Sequence, residues 1–96
     1  MKRMEQFVEK LFALAHTPEQ KAKACEYALG FYMNKGDVDK LESISKQGYE
    51  HALEVNNLSL QISFLNGIGV VFWMRGFSKQ GIDKLKEALH IAKTTH

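Results

Sequence analysis

Four histidines, one cysteine and a scatter of serines are the side chains here that could hold a metal or attack an electrophile. A zinc site needs ligands that fold back onto one ion, such as two histidines one helical turn apart. No two of His16, His51, His90 and His96 stand so, and none pairs with Cys25 or a carboxylate at a zinc-like spacing, so they read as surface, boundary or terminal residues. A nucleophilic serine needs a sharp strand-to-helix elbow that presents its oxygen. Ser43, Ser45, Ser59, Ser63 and Ser78 stand instead within or at the ends of helical patterns. Asp37-Val38-Asp39 is too short for a calcium loop and suits a helix N-cap. No catalytic constellation, metal or cofactor is expected. Cys25, with Ala24 and Ala28 nearby, reads as a small buried hydrophobe.

The stretch NGIGVVFWMRGFSKQG, residues 66–81, raises a different chemistry, because glycines can cradle phosphate. The dinucleotide pattern G-x-G-x-x-G fails: Gly67 and Gly69 are followed by Phe72 where the third glycine belongs, and no strand precedes them. A membrane span fails as well, since it needs about twenty mostly apolar residues. Ser63 and Asn66 break this run and Arg75-Gly76 stops it. What remains is close helix packing, for which glycine is tolerated despite a cost of roughly 1 kcal/mol relative to alanine. Gly69 and Gly81 are the expected contact points, one on each arm of a hairpin turning at Gly76.

The chain of 96 residues is sized for one domain, with 45% hydrophobic and 25% charged residues and a formal charge of +2. Its basic residues alternate with acids, so no nucleic-acid surface is expected. Glu5, Glu9 and Lys10 interrupt any leader-like apolar core after Met1-Lys2-Arg3. A single cysteine cannot form an internal disulfide, which suits a reducing cytoplasm.

Apolar residues recur every three or four positions and a single proline interrupts them, so the expected class is all-α. Met4, Phe7, Val8, Leu11, Phe12 and Ala15 form the stripe of a first helix. Thr17, Pro18 and Gln20 open the second with capping-box spacing, and it runs to about Lys35. Gly36 ends it in the left-handed conformation and Asp37 caps the third, whose inward residues are Val38, Leu41, Ile44, Gly48, Tyr49 and Ala52. The fourth, from about Leu58 to Arg75, is apolar nearly all round and needs covering on more than one side. Gly76 then repeats the role of Gly36, and the fifth helix carries Ile82, Leu85, Ala88, Leu89 and Ala92 on one side. About five helices with short connections imply antiparallel neighbours.

Gly36 and Gly76 mark the same turn forty residues apart, and other pairs agree at that offset. Tyr32 matches Phe72, Ala28 matches Ile68, Gly48 matches Ala88, Tyr49 matches Leu89 and Ala52 matches Ala92. The second unit resembles a tetratricopeptide repeat, laid on residues 62–95. Ile68-Gly69 takes the Leu-Gly place and Phe72 the tyrosine place. Leu65 stands for the tryptophan, Gly76 for the turn glycine, Gly81 for the small residue, Leu85 for the aromatic and Ala88 for the second alanine. Lys93 and Thr94 replace the usual proline, as in the long-helix variant of bacterial regulators and signal-transduction proteins. Residues 22–55 are more degenerate, keeping Gly36 and Gly48 but placing Leu29 at the first glycine and Leu41 at the small residue. The organisation expected is one domain, 1–96, a short right-handed α-solenoid of stacked antiparallel hairpins. Residues 1–16 form a first helix or cap, 17–56 a degenerate repeat and 57–96 a better-formed one, about two and a half units in all.

The resemblance implies a concave groove lined by the inner helix of each hairpin. Its places fall on Lys23, Glu26, Gly30, Met33 and Asn34 in the first unit and on Ser63, Asn66, Val70, Trp73 and Met74 in the second. Val70 occupies the place of the asparagine with which some members hold a peptide's carboxylate, so a tail clamp is not expected. The function implied is a non-catalytic scaffold that binds a protein or peptide, as the sensory or assembly piece of a regulator. The alternative is a structural homo-oligomerisation module, a homodimer for instance, with the apolar helix 58–75 and Trp73 buried as core. A polar outer face on helix five, from Lys79, Asp83, Lys86, Glu87, His90 and Lys93, suits a capping helix.

Overall fold

The structure, a computed structural model, describes residues 2–94, with side chains from residue 5 onward. Met4 as a member of the first stripe, and His96, lie outside that description. Among the described residues there are five α-helices and no strand: α1 (Lys2–Leu14), α2 (Pro18–Lys35), α3 (Val38–Glu54), α4 (Leu58–Met74) and α5 (Ser78–Thr94).

Local chemistry sets these bounds. The Thr17 side chain accepts the Gln20 amide at 3.1 Å, while Gln20 Oε1 accepts the amides of His16 and Thr17 at 2.9 and 3.3 Å. Pro18 takes the first helical position, where a missing N–H costs nothing. Asp37 caps α3 by accepting from Lys40, and Asn57 caps α4 by accepting from Leu60. Three connections share one form, because Gly36, Asn56 and Gly76, each twenty residues after the last, have φ of 74°, 56° and 87°. The following amide in each case reaches back over that residue to a helix carbonyl: Asp37 to Tyr32, Asn57 to Ala52 and Phe77 to Phe72, at 3.2, 3.0 and 2.8 Å. The same turn therefore folds the chain back on itself three times.

Among the described residues α4 packs on α3, α5 and α2, whereas α1 packs on α2 alone and α5 on α4 alone. The core runs through Cys25, Ala28, Leu29, Leu41, Ile44, Ala52, Leu60, Phe64 and Val71. Missing side chains permit the closest approaches. A Cβ at Gly48 would lie 2.3 Å from the ring of Phe64, and one at Gly67 would lie 2.5 Å from Ser45 Oγ and 2.7 Å from Leu29 Cδ1. Gly69 and Gly81 bring two backbones together, a Cβ at Gly81 standing 2.8 Å from the Gly69 carbonyl oxygen. Arg75 joins the end of α4 to the start of α3 through Asp39 at 2.7 Å and Glu42 at 3.5 Å. Lys35 joins α2 to Glu5 of α1 and holds that carboxyl below its ordinary pKa, largely by donating a hydrogen bond.

On α5, Ala88 is buried, but Ile82, Leu85 and Leu89 are 51%, 43% and 53% exposed. The physical reason is neighbour number. The flank carrying Gly81 and Ala88 meets α4, Leu85 stands beside Gly69 at the edge of that contact, Ala92 is half-buried, and Ile82 and Leu89 face solvent. Beside these apolar residues Lys79, Asp83, Lys86, Glu87, His90 and Lys93 are all exposed.

Candidate functional site

The turn at Gly76 sets α4 and α5 side by side, and the meeting of Gly69 with Gly81 fixes how near they come. Above that contact the larger side chains diverge. Val70 and Trp73 form one wall, Ile82 and Leu85 the other, and Gly69, Gly81 and Ser78 the floor and end of a cleft of about 230 Å³. Trp73 is 68% exposed at its rim. No acidic or basic residue occurs from 58 to 74, so this wall brings no charge.

A second apolar groove lies between α1 and α2. It measures about 550 Å³ and is lined by Phe7, Leu11, Leu14 and Tyr27, with Glu19 and Lys23 at its polar edge. Phe7 and Tyr27 meet edge to face with centroids 5.1 Å apart.

The structure divides the candidate groove residues between these places. Val70 and Trp73 share the α4–α5 cleft, while Lys23 lines the α1–α2 groove and pairs with Glu26 at 3.6 Å. Met33 and Asn34 are exposed on α2, and Asn66 and Met74 are exposed on α4 with Ser63 half-buried. Gly30 is exposed with open space around it. Of the repeat positions, Gly48, Leu65, Gly69, Gly81 and Ala88 are buried, Phe72 is half-buried, Gly36 and Gly76 occupy turns, and Leu85 stands in the cleft wall. The α5 wall was missed as a surface, although the spacing of Ile82, Leu85 and Leu89 is visible in the sequence.

The reactive side chains take bland positions. Cys25 is fully buried, and desolvation pushes its thiol up to about 11, away from nucleophilic reactivity. Ser45 is also fully buried, and its oxygen, which has no hydrogen-bond partner among the described residues, stands where a Cβ at Gly67 would collide with it. His16 and His90 are exposed, and His51 stands 3.8 Å from Glu54 one turn away. Among the described residues no group of three or more histidines, cysteines and carboxylates is placed to hold a metal ion, and no helix is long and apolar enough to cross a membrane.

The fold and cleft thus define a class, an all-helical domain of five helices, each in contact with the next, with an uncovered apolar cleft beside its glycine contact. No protein-family model, curated protein or solved structure matches the chain.

Proposed function

We propose that this chain is a non-catalytic helical scaffold of tetratricopeptide-like design, whose hairpins stack as a short solenoid and whose exposed apolar face takes up a protein or peptide. The observation that carries this reading is the α4–α5 cleft, where Trp73, Ile82 and Leu85 are left exposed beside the half-buried Val70. The internal repeat supports it. Ser45 on α3 is fully buried beneath α4, while its counterpart forty residues on, Leu85, is 43% exposed. The contact between α2 and α4, the two inner helices of the proposed hairpins, is in keeping with that arrangement. A reducing cytoplasm suits the lone buried thiol.

Displayed peptide libraries panned against the chain test this directly. Peptides that blue-shift Trp73 emission and lose binding to a Leu85→Lys variant are expected. Recovery of none, or only of peptides indifferent to Leu85→Lys, would reject the docking face.

A second reading, assembly with another copy of the chain, is favoured by the α1–α2 groove, which gives the molecule two apolar surfaces. Light scattering across a concentration series tests it. A mass that stays monomeric to high micromolar concentration removes it.

A further inference from the structure

Along α5 the residues Ile82, Leu85, Leu89 and Ala92 follow the three-four-three spacing of a coiled-coil seam. On one side of that seam Gly81 and Ala88 are buried against α4. On the other, Lys79, Lys86 and Lys93 recur every seventh residue, and all three are exposed. Among the described residues none of them has an ion-pair partner, although neighbouring Lys84 pairs with Glu87 at 3.3 Å. Because residues 58 to 74 of α4 are uncharged, the charge beside the cleft comes from α5, whose three cations along this edge outnumber the one acid among them, the exposed Asp83 between Lys79 and Lys86.

We infer that the occupant of the α4–α5 face is an amphipathic helix of another protein, with an apolar seam and a row of aspartate or glutamate along one side. This rests on the reading of that face as a docking surface and adds the chemistry of the partner. A helix is the fitting shape because the face is a cleft between two helices, and because the chain's own α4 covers the corresponding surface of α3 at Ser45 and Gly48. The acidic row follows from charge complementarity, which in seam-flanking positions sets partner choice. A second copy of this chain does not supply it. Two α5 helices packed antiparallel set lysine row against lysine row, and packed parallel set lysines against Gly81 and Ala88. The α1–α2 groove brings one acid, Glu19, beside Lys23. A flat anionic membrane would satisfy the lysines but leave the cleft unfilled.

The test uses two three-heptad peptides with leucine and isoleucine in the seam and either glutamate or lysine at every flanking position. Trp73 fluorescence, the only tryptophan signal, reports binding. The glutamate peptide is expected to bind the whole chain, more weakly as salt rises, and to lose about tenfold in affinity to a Lys79→Glu, Lys86→Glu, Lys93→Glu variant, which should prefer the lysine peptide. These exposed positions leave the fold intact, which circular dichroism verifies. Equal binding of both peptides overturns the acidic partner while leaving the apolar docking face standing. Binding of neither, with Trp73 freely quenched, overturns both. Vesicles containing phosphatidylserine that shift Trp73 when the glutamate peptide does not would assign the face to a membrane surface instead.

Discussion

At the scale of single residues, two positions report on how tightly the interior is closed. Cys25 has an ordinary thiol value of 9.0 raised to about 11 by burial. The native chain therefore keeps a proton that the unfolded chain releases, so stability is intact below pH 9 and falls as pH climbs toward 11. The slope approaches about 1.4 kcal/mol per pH unit within that window. Urea titrations at pH 8 and pH 10 should show this loss for the native sequence and much less of it for Cys25→Ala. Glycine substitutions give the second report. At Gly30 nothing stands within 4 Å of an added methyl, so Gly30→Ala should stabilise by about 0.5–1 kcal/mol through the gain in helix propensity. At Gly48 the methyl would enter the ring of the fully buried Phe64. Gly48→Ala should cost about 1–3 kcal/mol even after that same gain. Equal denaturation midpoints for the two variants would contradict the packing described.

At the scale of elements, the turns carry the organisation, and they also show what could be read in advance. Gly36 and Gly76 announced themselves because glycine is the residue that ends helices in the left-handed conformation. Asn56 does the same work at φ 56°, but asparagine is common enough elsewhere that its place in a twenty-residue rhythm went unread. Replacing Asn56 by glycine should therefore raise the thermal midpoint, by a gain of roughly 0.5 kcal/mol, whereas Gly76→Ala should lose about 1–2 kcal/mol at φ 87°. A rise for both would mean the turns tolerate side chains freely. The five helices and the caps at Thr17, Gly36, Asp37 and Gly76 were legible for a related reason, because capping residues and helical periodicity are local, though the Asn57 cap of α4 was not read. Coverage is not local. Periodicity showed that α5 has an apolar side, but not that one neighbour alone would meet it. Likewise Gly67 drew attention only as part of a failed phosphate motif. Its closeness to Ser45 and Leu29 depends on α2, α3 and α4 packing together. Trp73 and Val70 were named from the repeat pattern, while the opposing wall, Ile82 and Leu85, required the hairpin itself.

At the scale of the whole molecule, the question is whether Trp73 belongs to the interior or to a surface held for something else. The chain forms a slab of 34 × 30 × 16 Å whose core holds α4 by its Phe64, Leu60 and Val71 sides. Trp73 lies on the remaining side, 68% exposed. If the tryptophan were core, truncation would cost about 3–5 kcal/mol, as for other buried aromatics. Its exposure calls for a different outcome, because a side chain already in water loses little when removed. Trp73→Ala should change the unfolding free energy of the monomer by less than about 1 kcal/mol while abolishing peptide binding, followed by the fluorescence anisotropy of a dye-labelled peptide because the variant has no tryptophan. The two readouts must be taken at the same low protein concentration, where any self-association is absent. A large stability loss there would place Trp73 in the fold and remove it from the site. A small loss with binding gone would separate what this helix does for folding from what its exposed edge does for recognition.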